Sequence, residues 1–326
     1  MAPLAFVDVA CVAGGSRVHR VSESNLMRMR AYRLHTASWS RIVTHRVRRP
    51  EAIADRLLSR RRPDQSVPND GQMVLLTCNH QVDPRTGTPV DRRELLDRII
   101  EALSIPEVDG VVASADLLEE LTLLNMLEHR FAFCSASGDP HVGAISGLGG
   151  SCGGVATSTI AASRFDGALL SQRWGATGPP QAAQPWCLAA DVAEFAAHAL
   201  PTILDLCITD PDGRPEFDTT WTDWIEPLHA TTSALATGVG VWITVPAISG
   251  LAHLAEATSF PVLMRDTDVP IRPEAWESFF QTDLPLTIRG MIPGVSALFL
   301  LEGTVAEATA VIARSVRRRV SNPRAA

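Results

Sequence analysis

The chain contains no lysine: all 29 of its positively charged side chains are arginine. A Schiff base needs a lysine amine or, failing that, the N-terminal amine, so imine chemistry on an internal residue is excluded. The six cysteines, Cys11, Cys78, Cys134, Cys152, Cys187 and Cys207, include no CxxC pair and no even framework of spacings. They read as reduced thiols, which makes a cytoplasmic location the expectation. No apolar run is long enough to span a membrane. The opening MAPLAFVDVACVAGGS lacks the basic start of an export signal and reads as a loose extension or a first strand. A formal charge of −7 gives no broad electrostatic grip on nucleic acid. Neither GK[ST] nor GxGxxG occurs, nor a local metal pair such as HxH or HExxH. Neither a cofactor nor a metal is called for. Convergence of His80, Asp83, Cys134, Asp139 and His141 from neighbouring strands is the one metal arrangement left open.

What is present is a chain of 326 residues, 46% hydrophobic, long enough for one large core. Residues 1 to about 70 form an arginine-rich helical lead-in. Within it, 51–62 has helical spacing and ends in Arg60, Arg61 and Arg62 before Pro63. That run reads as a solvated helix end, with a patch for an anionic ligand or partner as the other reading. From Gln72 onward, apolar β-rich runs alternate with helical stretches. The runs lie at 73–79, 108–114, 130–136, 167–174, 202–209, 239–245, 261–265 and 295–301, the last with an alternative start near Leu286. The helical stretches lie at 92–104, 117–129, 192–200, 222–237, 249–258, 273–282 and 305–319. Eight such alternations predict a parallel sheet covered by helices. Count and length favour closure into a (β/α)8 TIM barrel with an N-terminal extension. Residues 1–45 are read as the extension and 46–326 as the barrel, with the proline-rich segment 175–186 as the loop after strand four.

Several segments, in order, carry a resemblance. They are VDGVVASADLLEELTLLNMLE (108–128), AASRFDGALLSQRW (161–174), VWITVPAISGLAHLAEATSFPVLM (241–264) and IRGMIPGVSALF (288–299), the last with Arg289, Gly290 and Gly294. Over roughly 45–320 the chain resembles the class I aldolase-like family of deoxyribose-phosphate and fructose-bisphosphate aldolases. The resemblance implies an α/β barrel with its site at the C-terminal strand ends. It also implies a nucleophilic lysine in the sixth strand, where this chain has Thr244 within Trp242-Ile243-Thr244-Val245-Pro246. A second family lysine, in strand four, corresponds to Leu169, or to Ala168 if the register slips by one. The Asp-His that usually ends strand one corresponds to Asn79-His80. The phosphate-binding glycines after strand seven correspond to Arg265-Asp266-Thr267, and a family arginine after strand eight to Val295. Arg173 matches a family arginine. Threonine has no amine and is a poor nucleophile without a base, so the family's own reaction is not expected here.

The polar residues at the expected strand ends supply the alternatives. His80, Asp116 and His141 are the candidate acid–base residues; Asn79, Ser135, Ser137, Arg173, Thr244 and Arg265 are candidates for binding substrate. Each has a structural reading beside the functional one. Asp116 suits the cap of the helix that follows it, and Asp218 and Thr220 suit the cap ahead of 222–237. Asp210-Pro211-Asp212-Gly213 suits a turn, and Arg173 suits a buried ion pair. The glycine-rich segment 137–154 suits a lid over the mouth. The function expected is a repurposed lyase-, isomerase- or cyclase-type enzyme working by non-covalent acid–base catalysis on a small oxygenated or carbonyl compound. Specialised metabolism is the expected setting. The alternative is a ligand-binding or partner-stabilising pseudoenzyme. Self-association through the outer helices is an expectation that comes with the resemblance.

Overall fold

The strand-forming runs close on themselves. In the computed structural model the sheet is a closed barrel of eight parallel strands in chain order. The structure describes residues 34–64, 72–78, 91–136, 157–175, 184–209, 220–235, 240–246, 251–265, 288–292, 309–310 and 313–314. The strands are β1 Met73–Thr77, β2 Gly110–Ala113, β3 Phe131–Ser135, β4 Gly167–Gly175, β5 Thr202–Thr209, β6 Val241–Pro246, β7 Val262–Arg265 and β8 Ile288–Ile292. Helices α1 Thr36–Arg48 and α2 Glu51–Ser59 precede them. Between strands come α3 Arg92–Leu103, α4 Ala115–Leu123, α5 Thr157–Ala162, α6 Gln184–Ala197, α7 Ile225–Ala234 and α8 Leu251–Glu256. Residues Arg33–Ala326 cluster as one compact unit, within which α1 lies. Of the other helical stretches, 273–282 lies outside the described residues.

The last strand departs from the main expectation. It occupies Ile288–Ile292, near the alternative start, and not 295–301. Closure explains the difference: Gly290 and Met291 must lie between Leu263 and Met264 of β7 and Met73 and Val74 of β1. Capping corrects a second expectation. Ser114, not Asp116, occupies the N-cap of α4, and Asp116 falls in its first turn. Thr220 does cap its helix, through a capping box in which its backbone N–H donates to the Asp223 carboxylate at 2.7 Å. Asp218 and the 210–213 turn lie outside the described residues.

Following the pairing once round the barrel, above the irregularity at Val262 and Leu263, displaces it by eight residues. That is the shear of a (β/α)8 barrel, in which inward side chains stack in layers of four from alternate strands. Near the bottom, Trp242 shares a level with Gly110 and Gly167. A Cβ on Gly110 would lie 2.2 Å from the Phe131 carbonyl oxygen, and one on Gly167 would lie 2.5 Å from the Phe133 ring. Leu75, Phe133, Ile203 and Leu263 form the next level; Val112, Leu169 and Thr244 follow. Apart from Thr244 and the two glycines these residues, with Met73 and Phe131, form one buried apolar cluster inside the barrel. A larger apolar cluster lies between sheet and helices. The barrel is a packed core up to the level of Thr244.

In the arginine run after α2, Arg61 and Arg62 are exposed, as a solvated helix end requires, but Arg60 is not. Arg60 is 3% exposed. Its guanidinium donates to the carbonyls of Leu127, Arg130 and Arg164 at 3.3, 2.9 and 3.0 Å and to Asp166 Oδ2 at 2.9 Å. Arg62 Nε binds the other Asp166 oxygen at 2.6 Å, and the Ala132 N–H donates to Oδ2 at 2.8 Å. The segment ties the chain ahead of β3 and β4 together at the N-terminal face of the barrel. A buried arginine is tolerated there because its charge is paired and both terminal nitrogens are hydrogen-bonded, the Nε having no partner among the described residues.

Candidate functional site

Above the Thr244 level the barrel interior changes character at once. Strand alternation continues the inward face to Thr77 on β1, Ser135 on β3, Asp205 on β5 and Arg265 on β7, four residues of one level, all half-buried. None is apolar. Ser114 and Ser171, also half-buried, occupy the inward positions one level higher on β2 and β4. These are C-terminal strand ends, the face on which barrel enzymes build their sites.

Asp205 is the centre of this layer. It interrupts the apolar strand TILDLCIT (202–209), and it is held by the two following strands. The Thr244 hydroxyl, directly alongside in the register, donates to Asp205 Oδ1 at 2.5 Å. Arg265 Nε makes an ion pair with the same oxygen at 3.1 Å. Among the described residues, Asp205 Oδ2 has no hydrogen-bond partner. Arg265 also donates to the Leu206 carbonyl at 3.2 Å, and its guanidinium carbon lies 5.9 Å from the centre of the Trp224 ring. Trp224 comes from the short 3-10 turn after β5 and is itself buried. In the same turn Trp221 stacks on His253 of α8, ring centres 5.0 Å apart. One carboxylate oxygen is thus fixed by two strands while the other has no partner among the described residues. Such a group can take or give a proton to a bound ligand, and the neighbouring guanidinium can hold an oxyanion.

Of the residues expected from sequence, Ser135, Thr244 and Arg265 belong to this assembly. Leu169 and not Ala168 faces the axis, in the apolar level just below it. Asp116 stands apart from it. Its carboxylate pairs with Arg92 of α3 at 2.7 Å, in a rim network where Arg92 also binds Glu120 at 2.8 Å. Arg46 of α1 joins the same network through Glu120 at 3.4 Å and also pairs with Glu119 at 3.0 Å. Burial would raise the Asp116 pKa, but the Ser114 hydroxyl, Arg92, the Leu117 N–H and Arg46 outweigh it and hold the carboxyl below its usual range. Arg173 lies on β4, with its side chain outside the described set. Asn79, His80, Ser137 and His141 lie outside the described residues. Asp205 and Thr77 were missed. The signal for Asp205 was available: an acid at an alternate position within an otherwise apolar strand.

Of the residues in the metal arrangement left open, Cys134 is described, and His80, Asp83, Asp139 and His141 lie outside the described residues. Burial pushes the Cys134 thiol up to about 12 and raises the Cys78 thiol as well. Both sit in the cluster between sheet and helices, so Cys134 cannot join ligands at the mouth. Among the described residues no group of three His, Cys, Asp or Glu side chains could hold a metal. A flank crevice of about 360 Å³ beside Arg46, Ile53, Leu57, Glu119 and Ser163 has its two charges paired with each other. Among the described residues no helix is long and apolar enough to cross a membrane.

The comparisons agree with this architecture. A family model described as Cgl0159-like matches residues 77–313. The crystal structure of Cgl0159 from Corynebacterium glutamicum superposes with a TM-score of 0.76 at 22% identity, covering 87% of this chain and 98% of that one. An archaeal fructose 1,6-bisphosphate aldolase gives a TM-score of 0.54 at 12% identity, over 81% of this chain and 98% of that one. A structure of an archaeal fructose-1,6-bisphosphate aldolase whose catalytic lysine is covalently bound to the carbinolamine intermediate gives 0.56 at 12%, over 81% and 99%. At these identities the likeness shows the fold. No curated protein matches the sequence.

Proposed function

The chain is a member of the Cgl0159-like family, with a barrel like that of class I aldolases, and from that premise we propose that it is an enzyme of lyase or isomerase type. It acts on a small carbonyl compound by proton transfer, without an imine. The observation that carries this reading is the half-tethered Asp205 carboxylate. Oδ1 is fixed by Thr244 and Arg265, and Oδ2 has no partner among the described residues. With a carbonyl compound on the mouth layer, Oδ2 removes a proton from the carbon next to the carbonyl. Arg265 stabilises the enolate oxygen that forms, and the proton returns to the neighbouring carbon or oxygen. No step needs an amine, in keeping with a chain that has no lysine. His80 and Arg173 are proposed at the same mouth, as proton carrier and oxyanion partner, from their places after β1 and on β4.

The test is proton exchange at carbon. A panel of hydroxyaldehydes and hydroxyketones is incubated in D2O and deuterium incorporation is followed by NMR. The expected result is exchange of at least one compound by the native chain, lost by roughly 100-fold or more in Asp205→Asn, the scale of a missing general base. A covalent adduct trapped by borohydride on an internal residue would overturn the reading. So would full exchange by the Asp205 variant. Saturable binding without exchange of any compound would assign the barrel to ligand binding alone.

A further inference from the structure

The polar mouth is divided. Asp205, Thr244 and Arg265, with all of the described charge of the layer, come from β5, β6 and β7. The other half carries one uncharged hydroxyl per strand: Thr77 ends β1, Ser114 follows β2, Ser135 ends β3 and Ser171 lies in β4. By strand alternation all four fall on the inward face, in two successive levels, and all four are half-buried. Directly beneath them the barrel is sealed by Leu75, Val112, Phe133 and Leu169, none more than 3% exposed. A ligand therefore cannot sink past this layer and must rest on it.

We infer that the β1–β4 half of the mouth, Thr77, Ser114, Ser135 and Ser171, is a subsite for the hydroxyl groups of a polyhydroxylated ligand such as an unmodified sugar or linear polyol. A hydroxyl donates and accepts at one atom, so a set of them matches a ligand whose hydroxyls do the same. Hydroxyls engaged once keep capacity for a second bond. Adjacent strands lie about 4.8 Å apart, so one five- or six-carbon chain reaches two or three of these positions together. The arrangement also fixes orientation. The hydroxylated part lies over β1–β4 and the reacting carbonyl faces Asp205 and Arg265. The substrate class rests on the acid–base reading of Asp205, whereas the subsite itself does not.

The experiment titrates ribitol, D-ribose and 1,5-pentanediol into the full chain and follows binding by ligand-detected NMR. It is repeated on the Ser135→Ala/Ser171→Ala double variant, on Thr77→Val and on Asp205→Asn. The expected result is saturable binding of ribitol and ribose but not of the diol. Binding should weaken about 30-fold in the double serine variant, since each of the two lost hydrogen bonds costs about 1 kcal/mol. Thr77→Val, which keeps its shape, should weaken binding by a smaller factor if the double variant does not fold. Failure of ribitol and ribose to bind, equal binding of the diol, or unchanged affinity in the folded hydroxyl variants would overturn the subsite. Asp205→Asn separates the two claims. Retained ribitol binding with lost exchange supports both, and retained binding with normal exchange removes the acid–base reading while leaving the subsite.

Discussion

The two ends of the barrel each hold an arginine–aspartate pair, and the two pairs are built to opposite ends. At the N-terminal face Arg60 and Asp166 are 1% and 6% exposed, and both aspartate oxygens are taken. At the C-terminal mouth Arg265 and Asp205 are 22% and 23% exposed, and one aspartate oxygen has no partner among the described residues. The first pair is held by three backbone carbonyls, a second arginine and a backbone N–H, and only the Arg60 Nε lacks a hydrogen bond among the described residues. Both carboxylate oxygens are engaged within the fold and the pair is buried, so its worth is structural. The second is left with capacity to spend on a ligand. Identical side chains become a clamp or a site according to how many of their hydrogen bonds the fold itself completes.

The sharpest way to break this comparison is Arg60→Ala. It leaves the Asp166 carboxylate buried with part of its partners gone, and breaking a buried pair typically costs about 3–5 kcal/mol. Urea unfolding should show a loss on that scale, with ligand binding intact in whatever fraction remains folded. A loss well under 1 kcal/mol would return the arginine run to the status of a solvated helix end.

Asp205→Asn should give the converse. Its stability should change by less than about 1 kcal/mol, since the half-exposed pair is screened, while proton exchange falls as stated above. A collapse in melting temperature would make Asp205 a second clamp.

Introducing an amine sharpens the contrast further. In Thr244→Lys the new ammonium meets the Asp205 carboxylate, which favours its charged form. The single variant should therefore form no imine with glyceraldehyde at neutral pH. Adding Asp205→Leu leaves the amine against Val112 and Leu169, where burial lowers its pKa, and a borohydride-trapped adduct should appear by mass spectrometry. An adduct on the single variant would show that Asp205 does not control the charge at this level.

The smallest effect is expected at the rim. The Asp116 carboxyl is held below the ordinary aspartate value. Its contribution is therefore present above that value and is lost as pH falls through the lower folded one. Asp116→Asn should cost less than about 1 kcal/mol at neutral pH, and its stability curve should merge with the native one in strong acid. Exchange activity unchanged in this variant would keep Asp116 out of the chemistry, and a loss of 100-fold or more would place it there.

Most strands were legible because each is a short apolar run bounded by turn or helix signals. The eighth was ambiguous, since 286–301 is apolar along much of its length and only pairing with β1 and β7 selects a register. Ser135, Thr244 and Arg265 were legible as strand ends. Asp205 left one signal, an acid within an otherwise apolar strand, but a strand buried on both faces has no polar face to show which parity points to the axis. Arg60 was misread for a related reason: a charged run after a helix looks solvated until its carbonyl partners, supplied from positions 127–166, are in place.

The sequence alone determined that no lysine is present for an imine, that strand and helix alternate, and that apolar runs suffice for one closed barrel. Tertiary structure decided what those residues do. The shear of eight sets which residues share a level, and so brings Thr77, Ser135, Asp205 and Arg265 into one layer from four strands remote in sequence. Hydrogen-bond saturation then decides function, because whether a carboxylate is spent or available depends on donors contributed by other strands, and no local pattern encodes those donors.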